Sequence, residues 1–239
     1  MAKKHGKNFR VYIDGDDFSG VSNATELNWT TAMAEVTNYL SDNVERLPGV
    51  TDWTATVNGF WDSNDATGYE ELLEEKKSGS VIFGAFPNKA NTGEMGWEGT
   101  PYLTDYGITG PVDGPVATGL SFTGSARLSR TYVLAACTGI EAASTNGTSA
   151  EIGNSETTAA GFLRLTSASS DTGSAYAYIE HSPAASGTWA TLASFLVTAA
   201  SGAWTASTAT APSAFLRGHW NITGSDTNVD FILSVETYS

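Results

Sequence analysis

The sequence predicts a mainly β protein, with an N-terminal β-sandwich or open barrel, one flanking α-helix and a smaller C-terminal β-sandwich. From Phe9 onward, apolar and polar residues alternate with period two, and turn residues separate the runs. A single stretch breaks this alternation clearly enough to favour a helix. In 239 residues, 41% hydrophobic and 16% charged content is typical of a chain with a packed core.

The first half contains several predicted strands in which one face is apolar and the other polar. Leu27 and Trp29 alternate with polar neighbours, as do Trp53, Ala55 and Val57. The polar residues that lie on the opposite faces of these two strands are Glu26, Asn28, Thr54, Thr56 and Asn58. The predicted strands of this half are 9–13, 25–29, 53–61, 81–86, 97–108 and 118–134.

The helix is expected to begin near Thr67. Thr67 and Glu70 have the spacing of a capping box, in which each side chain accepts a hydrogen bond from a free backbone N–H of the first turn. Gly79 can end the helix in the left-handed conformation. A weaker helical pattern over 35–45 remains ambiguous, because β-branched residues and Pro48-Gly49 count against it.

A composition change marks the expected domain boundary. Between about 139 and 160 the residues are mostly Ala, Ser, Thr, Gly and Asn, so we place one domain at 1–138 and a second at 139–239. The second domain has predicted strands at 161–166, 175–181, 189–196, 214–220 and 229–235, which favours a compact β-sandwich.

The charge is strongly acidic and unevenly placed. With 12 Lys and Arg against 26 Asp and Glu, the net charge is −14, which excludes a basic footprint for gripping nucleic acid over the whole chain. Four cations lie in an N-terminal arm (1–10), and residues 11–239 carry a net −18. The arm is either a mobile terminus or a segment that docks on the acidic body of a neighbouring copy. Its cations are Lys3, Lys4, Lys7 and Arg10.

Catalytic chemistry has no recognisable basis in this sequence. Phosphate-binding loops, dinucleotide fingerprints, zinc helices and nucleophile elbows are missing, so we expect no enzyme activity and no cofactor. One cysteine, Cys137, and three dispersed histidines give no metal site at familiar spacings. The acidic segments 14–17 and 62–65 are better explained as turns than as calcium loops.

Targeting signals are also missing. The basic start is not followed by an apolar run, and the apolar runs at 132–137 and 191–200 are too short or too polar to span a bilayer. We therefore expect a protein that is made and kept in the cytoplasm, or that leaves it by lysis or assembly, with no membrane anchoring.

Aromatic residues of the second domain allow an alternative function. Trp189, Trp204 and Trp220, with Tyr176 and Tyr178, are candidates for stacking on sugar rings. This would make the protein a β-sandwich carbohydrate-binding or adhesion module on a virion or cell surface. A role in the core is favoured instead, because these residues occur within alternating strands.

An ordered series of short motifs over 9–134 resembles the major tail tube protein of long, non-contractile phage tails (siphophages). The series is Asp17-Phe-Ser-Gly-Val-Ser-Asn23, Thr25-Glu-Leu, Ala34-Glu-Val-Thr37, Leu47-Pro-Gly-Val-Thr-Asp52, Val57-Asn-Gly-Phe-Trp-Asp62, Val81-Ile-Phe, Gly110-Pro-Val-Asp-Gly-Pro-Val-Ala-Thr118 and Phe122-Thr-Gly124. Two stretches of the second half, 179–189 and 215–220, look like the sandwich extension of some of these proteins. Ala184-Ala185 departs from the Asp-Gly that many relatives have there.

The resemblance implies a structural virion protein that forms stacked homo-hexameric rings. The rings would build a tube through which DNA passes at ejection without tight binding, in contact with tape measure, terminator and distal tail proteins. The polar residues Glu26, Asn28, Thr54, Thr56 and Asn58 are then candidates for lining the lumen, and the arm cations for contacts between subunits. The helix and the second domain would face outward.

Overall fold

The computed structural model describes residues 5–40, 42–62, 70, 73, 76–77, 79–140, 144–147, 149–151, 158–169, 174–197, 202–208, 210–223 and 228–238. The strands of these residues are β1 (Arg10–Ile13), β2 (Asp16–Asp17), β3 (Ser22–Glu35), β4 (Arg46–Phe60), β5 (Phe83–Phe86), β6 (Met95–Gly99), β7 (Pro101–Thr109), β8 (Ala117–Gly124), β9 (Ser129–Ile140), β10 (Ser144–Asn146), β11 (Ala150–Glu151), β12 (Thr158–Ser169), β13 (Ser174–Ser182), β14 (Ala190–Val197), β15 (Gly202–Thr208), β16 (Phe215–Thr223) and β17 (Asn228–Tyr238). Short 3-10 turns cover Gly6–Asn8 and Phe18–Gly20. The prediction of a mainly β protein is confirmed.

The described part of the predicted helix is helical. Glu70, Leu73 and Lys76 have α-helical conformation, and Leu73 is buried while Glu70 is exposed. Thr67, with its capping box, lies outside the described residues. Backbone contacts divide the chain into two units, of which unit 1 comprises Met1–Ser19, Ile82–Glu98 and Ser129–Ser239, and unit 2 comprises Gly20–Val81 and Gly99–Leu128.

Unit 2 is built on a four-stranded antiparallel sheet with the order β3-β4-β8-β7. Alternation along β4 buries Trp53, Ala55 and Val57, which pack with Leu120 and Phe122 of β8 on the same face. The Trp53 indole Nε1 donates to the Ala126 carbonyl at 2.7 Å, so its polar atom is satisfied.

Unit 1 contains an eight-stranded sheet with the order β15-β12-β17-β9-β6-β5-β1-β2 and a five-stranded sheet. In the second sheet the order is β10-β16-β13-β14, and β11 also pairs with β16. Buried residues of both sheets form one apolar core, as expected of two packed antiparallel sheets. Representative members are Leu163 and Leu233 of the larger sheet and Ile179, Leu216 and Trp220 of the smaller one.

The two units interleave along the chain. The predicted boundary near 138 falls inside β9, which pairs with β17, so that Ala135 lies opposite Leu233. Residues 129–137 therefore share a sheet with the last described strand of the chain. Independent folding of 1–138 and 139–239 stays a prediction.

A buried ionic network lies within unit 1. The Arg164 Nε donates to Glu98 Oε1 at 2.9 Å, and both side chains are 0% exposed. The Arg164 Nη1 donates to the carbonyls of Asp14 and Ile82, at 2.7 and 2.9 Å. Glu98 Oε2 accepts from the hydroxyls of Thr131 and Ser234. The two buried charges are thus paired, and both Glu98 oxygens accept hydrogen bonds, whereas Arg164 Nη2 is buried without a hydrogen-bond partner among the described residues.

Candidate assembly surfaces

The exposed face of the unit 2 sheet presents polar side chains in cross-strand rows. One row runs Glu26, Thr56, Ser121 and Asp105 across all four strands. The next row contains Asn28, Thr54 and Thr123. Glu26, Asn28, Thr54 and Asn58 are exposed and Thr56 is half-buried, so all five residues predicted from alternation share this polar face.

The polar face carries acidic but no basic groups over the span shared by the four strands. Its charged members among the described residues are Glu26 and Asp105. The Asn28 Nδ2 donates to Glu26 Oε1 at 2.9 Å, and Thr104 Oγ1 donates to the Ser121 carbonyl at 3.1 Å. Such a surface can form hydrogen bonds, and its carboxylates repel phosphates. It provides no cation to which phosphates could bind.

A shallow depression interrupts the polar face. It forms where Gly107 pairs with Gly119, because neither residue has a side chain to fill the surface. The depression has a volume of about 500 Å³, and Asn58, Thr56 and Asp105 are among its lining residues.

The two edge strands of this sheet run in opposite directions. Each neighbouring pair in the order β3-β4-β8-β7 is antiparallel, so β3 and β8 share one direction and β4 and β7 share the other. Placing β7 of one copy beside β3 of the next would therefore continue the antiparallel pattern. The start of β7 is already covered, because Ser80 pairs with Tyr102 and the Val81 N–H donates to the Pro101 carbonyl at 3.0 Å. The rest of the β7 edge and the β3 edge are open, and such edges are templates for pairing with another chain.

The hairpin of β3 and β4 extends past the rest of the sheet. β8 pairs with β4 only at Thr54–Phe60, so residues 46–52 pair with β3 alone. The Val36 N–H donates to the Glu45 carbonyl at 2.9 Å, which closes the far end of the hairpin. The 35–45 segment is thus a hairpin end, and its described residues have no helical turn. The sequence pattern did not reveal this, since apolar Val36, Tyr39 and Leu40 have the i, i+3, i+4 spacing that favours a helix.

The structure describes the N-terminal arm from His5 onward. His5 Nδ1 accepts from the Lys7 N–H at 3.1 Å and caps the turn Gly6–Asn8. The Lys7 side chain is exposed, and Arg10 is half-buried with Nη1 donating to the Phe9 carbonyl at 3.1 Å. Lys3 and Lys4 lie outside the described residues.

The three candidate glycan-stacking tryptophans occupy different environments. Trp220 is buried and packs edge-on against Phe231, with ring centroids 5.5 Å apart, so it offers no free ring face. Trp189 lies under the Arg217 guanidinium, whose Cζ is 4.3 Å from the ring centroid. Trp204 is half-buried on β15 opposite Leu163. Burial removes Trp220 from the candidates for stacking on a sugar, and a stacking role for Trp189 and Trp204 stays a prediction.

Titratable groups with shifted pKa values are tyrosines and the cysteine. Burial raises the pKa of Tyr12 to about 12, with a smaller contribution from Asp17. Burial also raises the pKa of Tyr106, with Glu70 as the lesser cause. Burial raises the pKa of the Cys137 thiol to about 11. All three groups are held in their neutral forms at neutral pH.

The described residues contain neither a cluster of side chains placed to hold a metal ion nor a helix able to cross a membrane. No group of three or more His, Cys, Asp or Glu side chains is placed to hold a metal ion in this part of the chain. In the acidic 14–17 segment, Asp14 Oδ1 accepts from the Ile82 N–H and Asp17 Oδ1 from the Ser19 N–H. Of the helical segments that the structure describes, none has the length and apolarity to cross a membrane.

Comparison with known proteins gives structural similarities at low sequence identity. No family model and no curated protein matches the chain. A chain from the virion of a native gene transfer agent particle is 18% identical with a TM-score of 0.46, covering 54% of this chain and 98% of its own. The SPP1 tail tube is 11% identical with a TM-score of 0.43, covering 53% and 78%. The SPP1 Dit protein, a hub protein of the adsorption apparatus, is 10% identical with a TM-score of 0.38, covering 97% and 99%.

Proposed function

We propose that this chain is the major tail tube subunit of a long, non-contractile phage tail. The observation that carries the proposal is the unit 2 sheet, with two largely open edges of opposite direction and one polar face that lacks cations over the span shared by its four strands. Copies joined β7 to β3 would form one continuous antiparallel sheet, and closing the ring removes every open edge. The resemblance over 9–134 adds the expectation of six copies in a ring and of rings stacked into a tube.

The polar face then lines the channel. Glu26, Asn28, Thr54, Thr56 and Asn58 would face the lumen, together with Ser121, Thr123 and Asp105 of the neighbouring strands. An acidic lumen repels DNA phosphates, whereas Lys or Arg would release counterions and hold the DNA in place. The channel would therefore conduct DNA at ejection without retaining it. The remaining expectations of the resemblance, the other tail proteins as partners and an outward-facing 139–239, belong to the same proposal.

Electron microscopy of the purified full-length chain over a range of protein concentrations tests the proposal. We expect hollow rings or tubes of uniform diameter, with six-fold symmetry in end-on views. Analytical ultracentrifugation of the same samples should give a species of about six chains or larger polymers. A chain that stays monomeric at high concentration and in low salt would overturn the assignment.

A further inference from the structure

The end of the β3–β4 hairpin is a two-stranded ribbon without support from the rest of its sheet. Residues 46–52 pair only with β3, and at ~3.3 Å per residue they extend roughly 23 Å beyond the four-stranded part. A lone two-stranded hairpin is marginally stable in water. The ribbon therefore gains order when another surface covers it.

The ribbon tip, defined as residues 35–40 and 42–46, is both apolar and acidic. Tyr39 is 108% exposed and Leu40 is 94% exposed, so their apolar surface has no cover within the chain. Three exposed carboxylates, Glu35, Asp42 and Glu45, share the tip with a single cation, Arg46, which lies opposite Glu35. The tip thus has a net charge of −2.

Unit 1 carries a surface of the opposite sign, which we name the cationic patch and define by Lys7, Arg10 and Lys89. The Lys89 N–H donates to the Asn8 carbonyl at 2.8 Å, which joins the 87–89 loop to the N-terminal turn. Two acids lie near this patch: Glu94, which accepts from Asn88 beside the 87–89 loop, and Asp17, which lies opposite Tyr12 on the strand next to that of Arg10. Lys7 and Lys89 are exposed, and neither has a carboxylate partner among the described residues.

We propose that the ribbon tip of one copy docks on the cationic patch of a second copy. This inference rests on the proposed function and names the partner surfaces of one contact between subunits. The net charges of the two surfaces are opposite, and opposite patches steer association and set its orientation. Docking also covers the exposed Tyr39 and Leu40 and orders the ribbon.

Charge reversal on the two surfaces, separately and together, tests the docking. The tip variant is Glu35→Lys/Asp42→Lys/Glu45→Lys, the patch variant is Lys7→Glu/Lys89→Glu, and the combined variant carries all five changes. We expect each separate variant to raise the critical concentration for polymerisation by ~10-fold or more, equivalent to ~1.4 kcal/mol. The combined variant should return to within a few-fold of the wild type, because the two surfaces are again of opposite sign. Asp113→Lys, at an exposed loop residue outside both surfaces, is the matched control.

Polymerisation is measured by sedimentation and by electron microscopy, with circular dichroism melts to establish folding. Separate variants that polymerise like the wild type, or a folded combined variant without recovery, would overturn the docking. Should a reversal variant unfold, Glu45→Gln and Lys89→Gln serve instead, and each should weaken the salt dependence of wild-type polymerisation. Unchanged salt dependence in both would again overturn it. Failure of the wild type itself to form rings would instead refute the proposed function.

Discussion

Arg164 and Glu98 form an ion pair in which both side chains are completely buried, with Nε and Oε1 2.9 Å apart. Arg164 lies on β12 and Glu98 on β6. The pair therefore joins two strands through residues that are 66 positions apart in the sequence. Gly84 belongs to the same arrangement, because a Cβ there would lie 2.7 Å from Arg164 Nη2. The guanidinium thus occupies space that only a glycine leaves open.

Replacing Arg164 by Met should destabilise the protein by about 3–5 kcal/mol, since it leaves the Glu98 carboxylate buried without its partner. The double variant Arg164→Met/Glu98→Gln should lose less than the sum of its two single changes. Urea unfolding measures each free energy of unfolding.

A matched control is Arg217→Met, because Arg217 pairs with Glu180 at 2.7 Å while both side chains are partly exposed, at 20% and 14%. The change removes this ion pair and the contact of the Arg217 guanidinium with the Trp189 ring, and the two losses should together cost about 1–2 kcal/mol because both charges remain in contact with solvent. Equal losses for Arg164→Met and Arg217→Met would contradict the importance of burial.

The Cys137 thiol should react slowly with alkylating reagents at pH 8. Burial raises its pKa from 9.0 to about 11, so little reactive thiolate is present at that pH. The raised pKa also affects stability: its contribution is complete below pH 9.0 and is lost as pH rises through about 11. Alkylation rates in native and urea-unfolded protein across this range give the measurement. A native alkylation rate equal to the unfolded rate at pH 8 would refute the prediction about reactivity. For stability, the Cys137→Ala variant should lose less free energy of unfolding than the wild type between the two pH values.

Edge pairing predicts where backbone amides gain protection upon assembly. In the isolated subunit, β3 and the part of β7 beyond Tyr102 have no strand neighbour on their outer side among the described residues and should exchange quickly, whereas β4 and β8 are flanked by strands on both sides. In assembled particles, hydrogen exchange of β3 and β7 should slow by at least ~10-fold, because each edge is then hydrogen-bonded to a neighbour. Mass spectrometry of hydrogen exchange in both states measures this. Protection confined to other strands would argue against closure of the ring through these edges.

Cations placed on the polar face should make tubes retain DNA. Thr54→Arg/Thr56→Arg adds two guanidiniums per copy at positions that are now uncharged, and Thr54→Gln/Thr56→Gln is the control of similar bulk. We expect only the arginine variant to bind DNA, with an affinity that falls steeply as salt increases. Filter binding with assembled particles at several salt concentrations measures it. DNA binding by wild-type particles at physiological salt would contradict an acidic, non-binding lumen.

The strands were largely predictable because alternation is a local signal. The face of β4 with Trp53, Ala55 and Val57 inward and Thr54, Thr56 and Asn58 outward follows directly from period two, and its burial agrees. β15 was not predicted, because Gly202–Thr208 contains mostly small residues that also suit a loop. β10 and β11 were not predicted for the same reason, because both lie in the small-residue stretch at 139–160.

The sequence patterns could predict neither which strands pair with each other nor the buried ionic network. Alternation gives two faces of a strand but does not name its neighbours, so the pairing of β9 with β17 and the interleaved units could not be predicted. The one available signal for the network was Arg164, a charged residue between Leu163 and Leu165 in an apolar run. Its partner Glu98 lies in an ordinary-looking strand and became evident only from the fold.

The pairing of β9 with β17 sets an order of events during synthesis. Unit 2 ends at Leu128, so all of its strands leave the ribosome well before residue 228, where β17 begins. Until Asn228–Tyr238 emerges, β9 lacks one neighbour, and the core that Leu233 and Val235 complete stays open. Contacts of such long sequence separation form late. A nascent or prematurely terminated chain would thus carry every strand of the unit 2 sheet while unit 1 still lacks β17.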